Sequence, residues 1–303
     1  MRAHFKIVAG LLSALALFAA LAAGQAGRRP GSGSDEPRER GVFLNVSAAR
    51  ANGSEERITS NELAVYDAGM EQKIQAFTPD PGPARIVILV DNSLGLRADV
   101  EKLQKAAREF AYEIYEGDRV MVIGYDQNAE IITDWTDDAK KVEAALPTFR
   151  KRGEPHLFDA LSAVMTDALG QFTGSNRKRA IVLVADGLDR GSKTTFDRVF
   201  DELLRQDITV YALQLPDRTG GALRRDRLKP AQVIQRLTEG TGGRVLSANE
   251  PREAAQAICD ELRKNRYVLA YTPSSPSLTD RRRLLVVPEE GIVVRHKLQQ
   301  PGN

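Results

Sequence analysis

Apolar residues in this chain follow two patterns, unbroken short runs and recurrence at helical spacing. Residues 86–90 form an unbroken run that ends at Asp91, and residues 181–184 form a second run that ends shortly before Asp186. Runs of this kind are typical of strands buried on both faces of a parallel sheet. Residues 100–115 instead place apolar side chains on one face of a helix. Alternation of the two patterns predicts an α/β fold with a doubly wound, Rossmann-like sheet.

The same reading gives the order of the strands. Turn residues near Asp126 join residues 118–124 to residues 130–135 as a hairpin, so one edge of the sheet is antiparallel. Residues 158–169 read as one further helix. We therefore expect a mostly parallel, six-stranded sheet within residues 82–265, in the order 3-2-1-4-5-6 with strand 3 antiparallel.

Both flanking segments are β-rich and small. Residues 41–81 and 266–298 contain short stretches of alternating apolar and polar residues, separated by turn residues. Neither segment is large enough for a core of its own. We expect the two to pair into one small β-sandwich-like subdomain beside the α/β domain.

The first residues have the composition of a targeting signal. Basic residues are followed by an apolar run over residues 7–23 and then by small residues. This order predicts a signal peptide over residues 1–26, followed by a Gly-, Pro- and Ser-containing flexible linker over residues 27–40. We expect an exported protein, periplasmic or secreted, with no membrane contact after cleavage. An uncleaved signal-anchor is the alternative, because the run approaches the ~20 residues that span a bilayer.

Charge and cysteine content argue against some classes of function. The net charge is +2, which gives no reason to expect nucleic-acid binding. Cys259 is the only cysteine, so the chain has neither an internal disulfide nor a thiolate metal cluster. Its surroundings read as the buried face of a helix, so we expect an inert thiol.

The order and spacing of these segments resemble the von Willebrand factor type A (vWA) domain. The match is to an exported bacterial group, the VWFA-related proteins, which flank the vWA domain with β segments. Residues 63–69 (LAVYDAG), 241–243 (TGG) and 266–272 (RYVLAYT) carry the resemblance, which extends over residues 42–297. It implies a non-enzymatic protein-binding module that acts outside the cytoplasm in adhesion or envelope assembly.

The resemblance also implies a candidate metal site. vWA domains usually bind Mg²⁺ through an Asp-x-Ser-x-Ser motif, a Thr and a later Asp. Asp91, Ser93 and Asp186 stand at three of these positions, whereas Gly95 and Pro155 replace the expected Ser and Thr. Mg²⁺ requires a near-octahedral set of oxygen ligands. The loss of two ligands favours a vestigial site, with no cofactor, over a functional Mg²⁺ site.

Basic loops offer a substitute for the metal. Three loops expected at this sheet edge contain Arg and Lys, the third with Arg218, Arg224, Arg225, Arg227 and Lys229. Fixed cations could partly replace Mg²⁺ in binding an acidic group of a protein partner. The candidate partner-binding residues are Arg152, Arg190, Arg224 and Arg225. A solvated loop surface is the alternative, as is rescue of the metal by Glu154 or Asp189.

Two other function classes stay open. A hydrolase could use Ser93 with His156, but residues 91–95 lack the first Gly of a Gly-x-Ser-x-Gly elbow. We therefore expect no catalytic residues and no enzyme activity. An envelope scaffold with no ligand site is the third alternative.

Overall fold

Fourteen strands and six α-helices form the part of the chain that the computed structural model describes, residues 41–172, 178–221, 228–274 and 280–302. The signal and linker predicted for residues 1–40 lie outside the described residues. The strands are β1 (Val42–Arg50), β2 (Leu63–Asp67), β3 (Met70–Gln72), β4 (Ile74–Pro79), β5 (Arg85–Asp91), β6 (Arg119–Tyr125), β7 (Ala129–Thr136), β8 (Arg179–Ala185), β9 (Thr209–Gln214), β10 (Val245–Ser247), β11 (Arg266–Tyr271), β12 (Arg282–Pro288), β13 (Ile292–His296) and β14 (Gln299–Gln300). The helices are α1 (Val100–Glu113), α2 (Ala139–Ala145), α3 (Leu157–Ala163), α4 (Phe196–Gln206), α5 (Pro230–Thr241) and α6 (Pro251–Lys264).

The central sheet has six strands in the order β7-β6-β5-β8-β9-β10. All neighbouring strands are parallel except β6 and β7. The antiparallel pair arises because Asp126 closes a tight turn, in which its side chain accepts a 2.9 Å hydrogen bond from the Asn128 N–H. In order along the chain the strands are arranged 3-2-1-4-5-6, which confirms the predicted topology.

Helices cover both faces of this sheet. Alternate residues of β5 enter two separate cores: Ile86 and Ile88 pack with α1 and α6, whereas Val87 and Leu89 pack with α3, α4 and α5. All four side chains are fully buried. Burial on both faces explains the unbroken apolar run in the sequence.

The terminal segments form two four-stranded sheets, β13-β1-β11-β4 and β14-β12-β2-β3. Side chains such as Leu44, Val65, Leu269 and Val286 from both sheets share one buried core. This arrangement confirms that the two ends of the chain combine into a β-sandwich-like unit. Neither end alone would exclude water from such a core.

The sandwich contacts the amino-terminal ends of the central strands. Lys178, just before β8, donates hydrogen bonds to the carbonyls of Asp80 (2.6 Å) and Leu262 (3.1 Å). Arg266 at the start of β11 donates a 3.0 Å bond to the Thr209 hydroxyl at the start of β9. The carboxyl-terminal ends of the central strands lie at the opposite end of the sheet.

Helical segments differ from expectation at one place. The helix expected over residues 158–169 is α-helical only to Ala163 and continues as a π-turn over Val164–Ala168.

Cys259 lies on α6 with its thiol buried in the core, and burial raises the pKa of this thiol. Among the described residues, no helix has the length and apolar character needed to span a membrane.

Candidate functional site: the carboxyl edge of the central sheet

Two fully buried aspartates lie side by side at the carboxyl ends of neighbouring strands. Asp91 is the last residue of β5, and Asp186 directly follows β8. The two strands are hydrogen-bonded partners, with Val90 opposite Val184. Ligand sites of open α/β sheets lie at this position in the fold.

Local turns fix both carboxylates. Asp91 Oδ1 accepts hydrogen bonds from the Ser93 N–H (2.9 Å) and the Ser93 hydroxyl (2.5 Å). Asp186 Oδ1 accepts a 3.0 Å bond from the Leu188 N–H. Asp side chains commonly bond to the backbone two residues onward in this way. The structure thus brings together the three ligand residues that the sequence analysis selected.

The guanidinium of Arg218 lies between these groups. It donates to Asp186 Oδ2 from Nε (2.7 Å), to Asp186 Oδ1 from Nη2 (3.0 Å) and to the Ser93 hydroxyl oxygen from Nη1 (2.6 Å). Nη2 also donates to Asp91 Oδ2, and the Arg218 N–H donates to Asp186 Oδ2 at 3.1 Å. Each of the four carboxylate oxygens therefore accepts at least one hydrogen bond. The Arg218 side chain is only 8% exposed.

Burial and the neighbouring charges shift the pKa values of Asp91 and Arg218 in opposite directions. Burial raises the pKa of Asp91, and the nearby Arg218 charge offsets part of that effect. Burial would lower the pKa of Arg218, but hydrogen bonds to Asp186 and the charges of both aspartates raise it overall. The guanidinium is consequently a permanent cation, held by two carboxylates.

The two substituted motif positions supply no ligand oxygen from their side chains. A Cβ atom built at Gly95 would lie 3.6 Å from both Cδ and Nη1 of Arg218. Any side chain at position 95 would therefore pack directly on Arg218. Pro155 is buried, and its carbonyl accepts a 2.7 Å bond from the Arg190 N–H. Neither position offers a side-chain oxygen.

These residues do not fit a Mg²⁺ ion. The oxygens of Asp91, Asp186 and Ser93 are already directed onto Arg218 or onto neighbouring N–H and O–H groups. The suggested replacement ligands are also engaged, since Glu154 pairs with Arg190 at 3.4 Å and Asp189 accepts a 2.5 Å bond from Ser192. Within the described part of the chain, no group of three or more His, Cys, Asp or Glu residues could hold a metal.

Two of the four candidate partner-binding arginines, Arg152 and Arg190, are paired with acids of the same chain. Arg152 donates to Asp126 at 3.0 Å and also to Glu130, although its side chain is 57% exposed. Arg190 pairs with Glu154 and is 56% exposed. The other two candidates, Arg224 and Arg225, lie outside the described residues.

Tyr125 adds a buried polar group that the sequence analysis overlooked. It ends β6 beside Asp91, and its hydroxyl has no hydrogen-bond partner among the described residues. Burial raises the pKa of this phenol, and the charges of Asp91 and Asp186 raise it further. The hydroxyl is consequently a neutral, buried donor next to the aspartate pair.

Ser93 and His156 do not form a catalytic pair in this arrangement. The hydrogen bonds of the Ser93 hydroxyl are to Asp91 and Arg218. The imidazole of His156 packs on Gly191, and its Nδ1 lies 3.9 Å from an oxygen of Asp159. The geometry for activating Ser93 as a nucleophile is therefore absent from this pair.

Leu94 is the most exposed large apolar side chain at this end of the sheet, with 67% of its surface accessible. A 3.1 Å hydrogen bond from its N–H to the Gly153 carbonyl fixes the Leu94 backbone. Around it lie loops that contact one another, here called the carboxyl edge: residues 93–97, 151–154, 189–193 and 217–221.

Sequence reasoning named Arg218 among the loop cations but did not select it. A weak signal was present, because Arg218 follows the end of β9 by only four residues and β9 is the neighbour of β8. The direction of its side chain depends on the conformation of the loop, which no periodic pattern encodes.

A six-stranded, mostly parallel sheet in this order, with helices on both faces, defines the class as a doubly wound α/β domain. Residues 86–188 match the family model of the von Willebrand factor type A domain. For this part of the chain, the match confirms the resemblance seen in the sequence.

One solved structure shows the same fold. The chain is 12% identical to a von Willebrand factor type A protein from Catenulispora acidiphila, with a TM-score of 0.50 over 81% of this chain and 76% of the other. It is 18% identical to an aerotolerance-related membrane protein from Bacteroides fragilis, with a TM-score of 0.46 over 60% of this chain and 99% of the other. No curated protein matches the chain significantly.

Proposed function

We propose that this protein is an exported, non-enzymatic protein-binding module of the vWA type, whose carboxyl edge recognises a protein partner and whose metal site is vestigial. One observation carries the proposal. The buried acids of the site are held by Arg218, while Leu94 is 67% exposed directly beside them.

The position of the sandwich also favours the carboxyl edge as the binding surface. Its contacts with the α/β unit involve the amino-terminal ends of β8 and β9. The exposed Leu94 lies at the opposite, carboxyl-terminal end of the sheet. Ligands of open α/β sheets bind at that carboxyl-terminal end.

The chemistry of the edge favours an apolar contact as its centre. Interfaces are usually centred on a few well-packed anchor residues surrounded by polar groups. Leu94 has this position, and the ion pairs of Arg152 and Arg190 lie in the adjacent loops. An acidic group of the partner would bind at this rim by exchange with Glu130 or Glu154.

Site-specific photo-crosslinking in the producing cell tests the proposal. A photoreactive amino acid is placed at Leu94 and, as the matched control, at Leu285, which is 48% exposed on β12 of the sandwich. We expect a discrete crosslinked protein from position 94 that is missing from position 285. Identical products from both positions, or none from position 94, would refute a recognition role for this edge.

Leu94→Glu separates the module from a scaffold. A scaffold that has no ligand site keeps its partners when this edge is altered. We expect Leu94→Glu to abolish co-purification of the crosslinked protein and Leu285→Glu to preserve it.

The hydrolase alternative has its own test. Wild type and Ser93→Ala are compared in an esterase screen at equal protein concentration. We expect no activity in either protein, and activity that disappears in Ser93→Ala would favour the enzyme instead.

Export is supported by the basic start and apolar run of residues 1–26. Fractionation with amino-terminal sequencing of the mature protein tests it. We expect an extracytoplasmic chain that begins after Gly24 or Ala26. A cytoplasmic chain that retains residue 1 would contradict export.

A further inference from the structure

We propose that Arg218 is a built-in cation that permanently takes the place of the divalent metal of this site. The inference concerns the ionic state of the carboxyl edge. It therefore holds whether or not that edge binds a protein partner.

The first argument is that the oxygens that would bind a metal already accept hydrogen bonds from Arg218. Arg218 has hydrogen bonds to both carboxylates and to the Ser93 hydroxyl, the three groups that would otherwise bind the ion. A divalent cation could reach them only after the guanidinium had left. The departing guanidinium would break all of its side-chain bonds within a buried cluster.

The second argument is charge. Two carboxylates buried side by side repel each other, and a nearby cation relieves that repulsion. A guanidinium presents several N–H donors in one plane, which suits simultaneous bonds to carboxylates. Because Arg218 is part of the chain, it is present at the site at every ionic condition. Mg²⁺ must instead lose part of its water shell to bind.

The third argument is fit. A Cβ atom at Gly95 would lie 3.6 Å from Cδ and Nη1 of Arg218, so the position at which the family motif has a serine adjoins the guanidinium. This position supplies no hydroxyl ligand here, and the arginine occupies the adjoining space.

Arg218 also holds neighbouring segments of the carboxyl edge in place. Its bonds join the ends of β5 and β8 to the loop after β9, through Asp91, Asp186 and its own backbone N–H. The Leu94 segment follows Asp91 directly. The shape of the carboxyl edge should consequently be independent of divalent cations.

Mn²⁺ binding, read by electron paramagnetic resonance and by thermal unfolding, tests the inference. Wild type is compared with Arg218→Ala and with the matched control Arg152→Ala, which removes the same charge from an exposed position of the same edge. Any ion bound by the native state would raise Tm by mass action, so we expect no bound Mn²⁺ and no shift in Tm with Mn²⁺ or EDTA for wild type and Arg152→Ala. Arg218→Ala should unfold at a clearly lower Tm than Arg152→Ala, because it leaves two buried carboxylates without a counter-charge. Arg218→Ala/Asp186→Asn, which keeps only one of the two carboxylates, should recover part of that loss.

Mn²⁺ bound by wild type and lost in Asp186→Asn would overturn the inference, as would an Arg218→Ala whose Tm is no lower than that of Arg152→Ala. If Arg218→Ala does not fold, recovery of folded protein in Arg218→Ala/Asp186→Asn supports the inference. Failure to recover it overturns the role of Arg218 as the counter-charge of the two aspartates.

Discussion

Individual buried polar side chains contribute strongly to the stability of this protein. Asp91, Asp186 and Arg218 satisfy one another in a closed set of hydrogen bonds. Tyr125 lies beside them with a hydroxyl that has no partner among the described residues. His296, in the sandwich, uses both ring nitrogens. The contrast between satisfied and unsatisfied groups gives two predictions.

Tyr125→Phe is expected to leave the free energy of unfolding unchanged or to raise it by roughly 1 kcal/mol, because it removes a buried donor that has no acceptor. Urea denaturation measures the change. The control is Tyr211→Phe, which deletes a 2.9 Å hydrogen bond to buried Glu261 and should lower stability by about 2 kcal/mol. An equal loss in both variants would show that the Tyr125 hydroxyl has a partner of similar strength.

Stability should fall on mild acidification because of His296. Its Nε2 accepts a 3.0 Å bond from the Val286 N–H, and its Nδ1 lies 2.7 Å from the Lys297 carbonyl as the donor. Burial lowers the pKa of this imidazole in the folded state. The unfolded chain then binds the proton first, below about pH 6.5, so stability is lost as the pH falls from there toward the folded-state pKa.

Urea midpoints at a series of pH values measure this loss, whose slope cannot exceed about 1.4 kcal/mol per pH unit for one proton. In His296→Gln the slope between neutral pH and the carboxylate range should become shallower. An unchanged slope would assign the titration to another group.

At the scale of elements, periodicity predicted the strands better than the helices. The unbroken runs identified β5 and β8 because burial on both faces leaves no polar positions. The helix over residues 158–169 was only partly right, since its second half forms a π-turn whose apolar side chains still face the core. Helical spacing does not distinguish an α-turn from a π-turn over so few residues.

The Thr241-Gly242-Gly243 turn provides the prediction at this scale. Gly242 ends α5 with a φ of +86°, and a Cβ atom at Gly243 would overlap the Val210 carbonyl oxygen of β9. Gly243→Ala should therefore destabilise the protein by about 3 kcal/mol. Thermal unfolding measures the effect.

Gly41→Ala is the control, because a Cβ atom there would lie 3.8 Å from the Tyr271 carbonyl oxygen, an ordinary van der Waals contact. It should leave Tm nearly unchanged. Equal effects of the two substitutions would show that β9 can move away from this turn.

At the scale of the whole molecule, the fold class and the site residues at the strand ends could be predicted from the sequence. The strand ends located Asp91, Ser93 and Asp186, because parallel strands align their carboxyl ends at one edge. Arg218 could not be identified in this way. Its role depends on a loop conformation and on the space at Gly95, and both are products of long-range packing.

Glu261 connects the two parts of the molecule. From α6 it accepts a hydrogen bond from Tyr211 of β9 and pairs with Arg244 (3.1 Å) and Arg295 of β13 (3.2 Å). Glu261→Ala should lower the free energy of unfolding by about 2 kcal/mol, because it leaves the buried Tyr211 hydroxyl without its acceptor and removes the counter-charge of two partly exposed arginines.

Lys264→Ala is the matched control on the same helix, since it removes an exposed pair with Asp260 and a contact with the Tyr115 ring. Its effect should stay below about 1 kcal/mol. Urea denaturation of both variants measures the difference. A loss from Glu261→Ala as small as that of the control would show that the Glu261 contacts contribute little to holding the two parts together.

The pairing of β1 with β11 has a mechanical consequence. The chain enters β1 at Val42, beside Tyr271 at the far end of β11, whereas Arg266 at the near end of β11 follows α6 after a single residue. Tension between the segment before Val42 and a partner on the vWA domain would pull these antiparallel strands lengthwise past each other. Six residue pairs, from Val42–Tyr271 to Ser47–Arg266, would share that load at once instead of opening one after another.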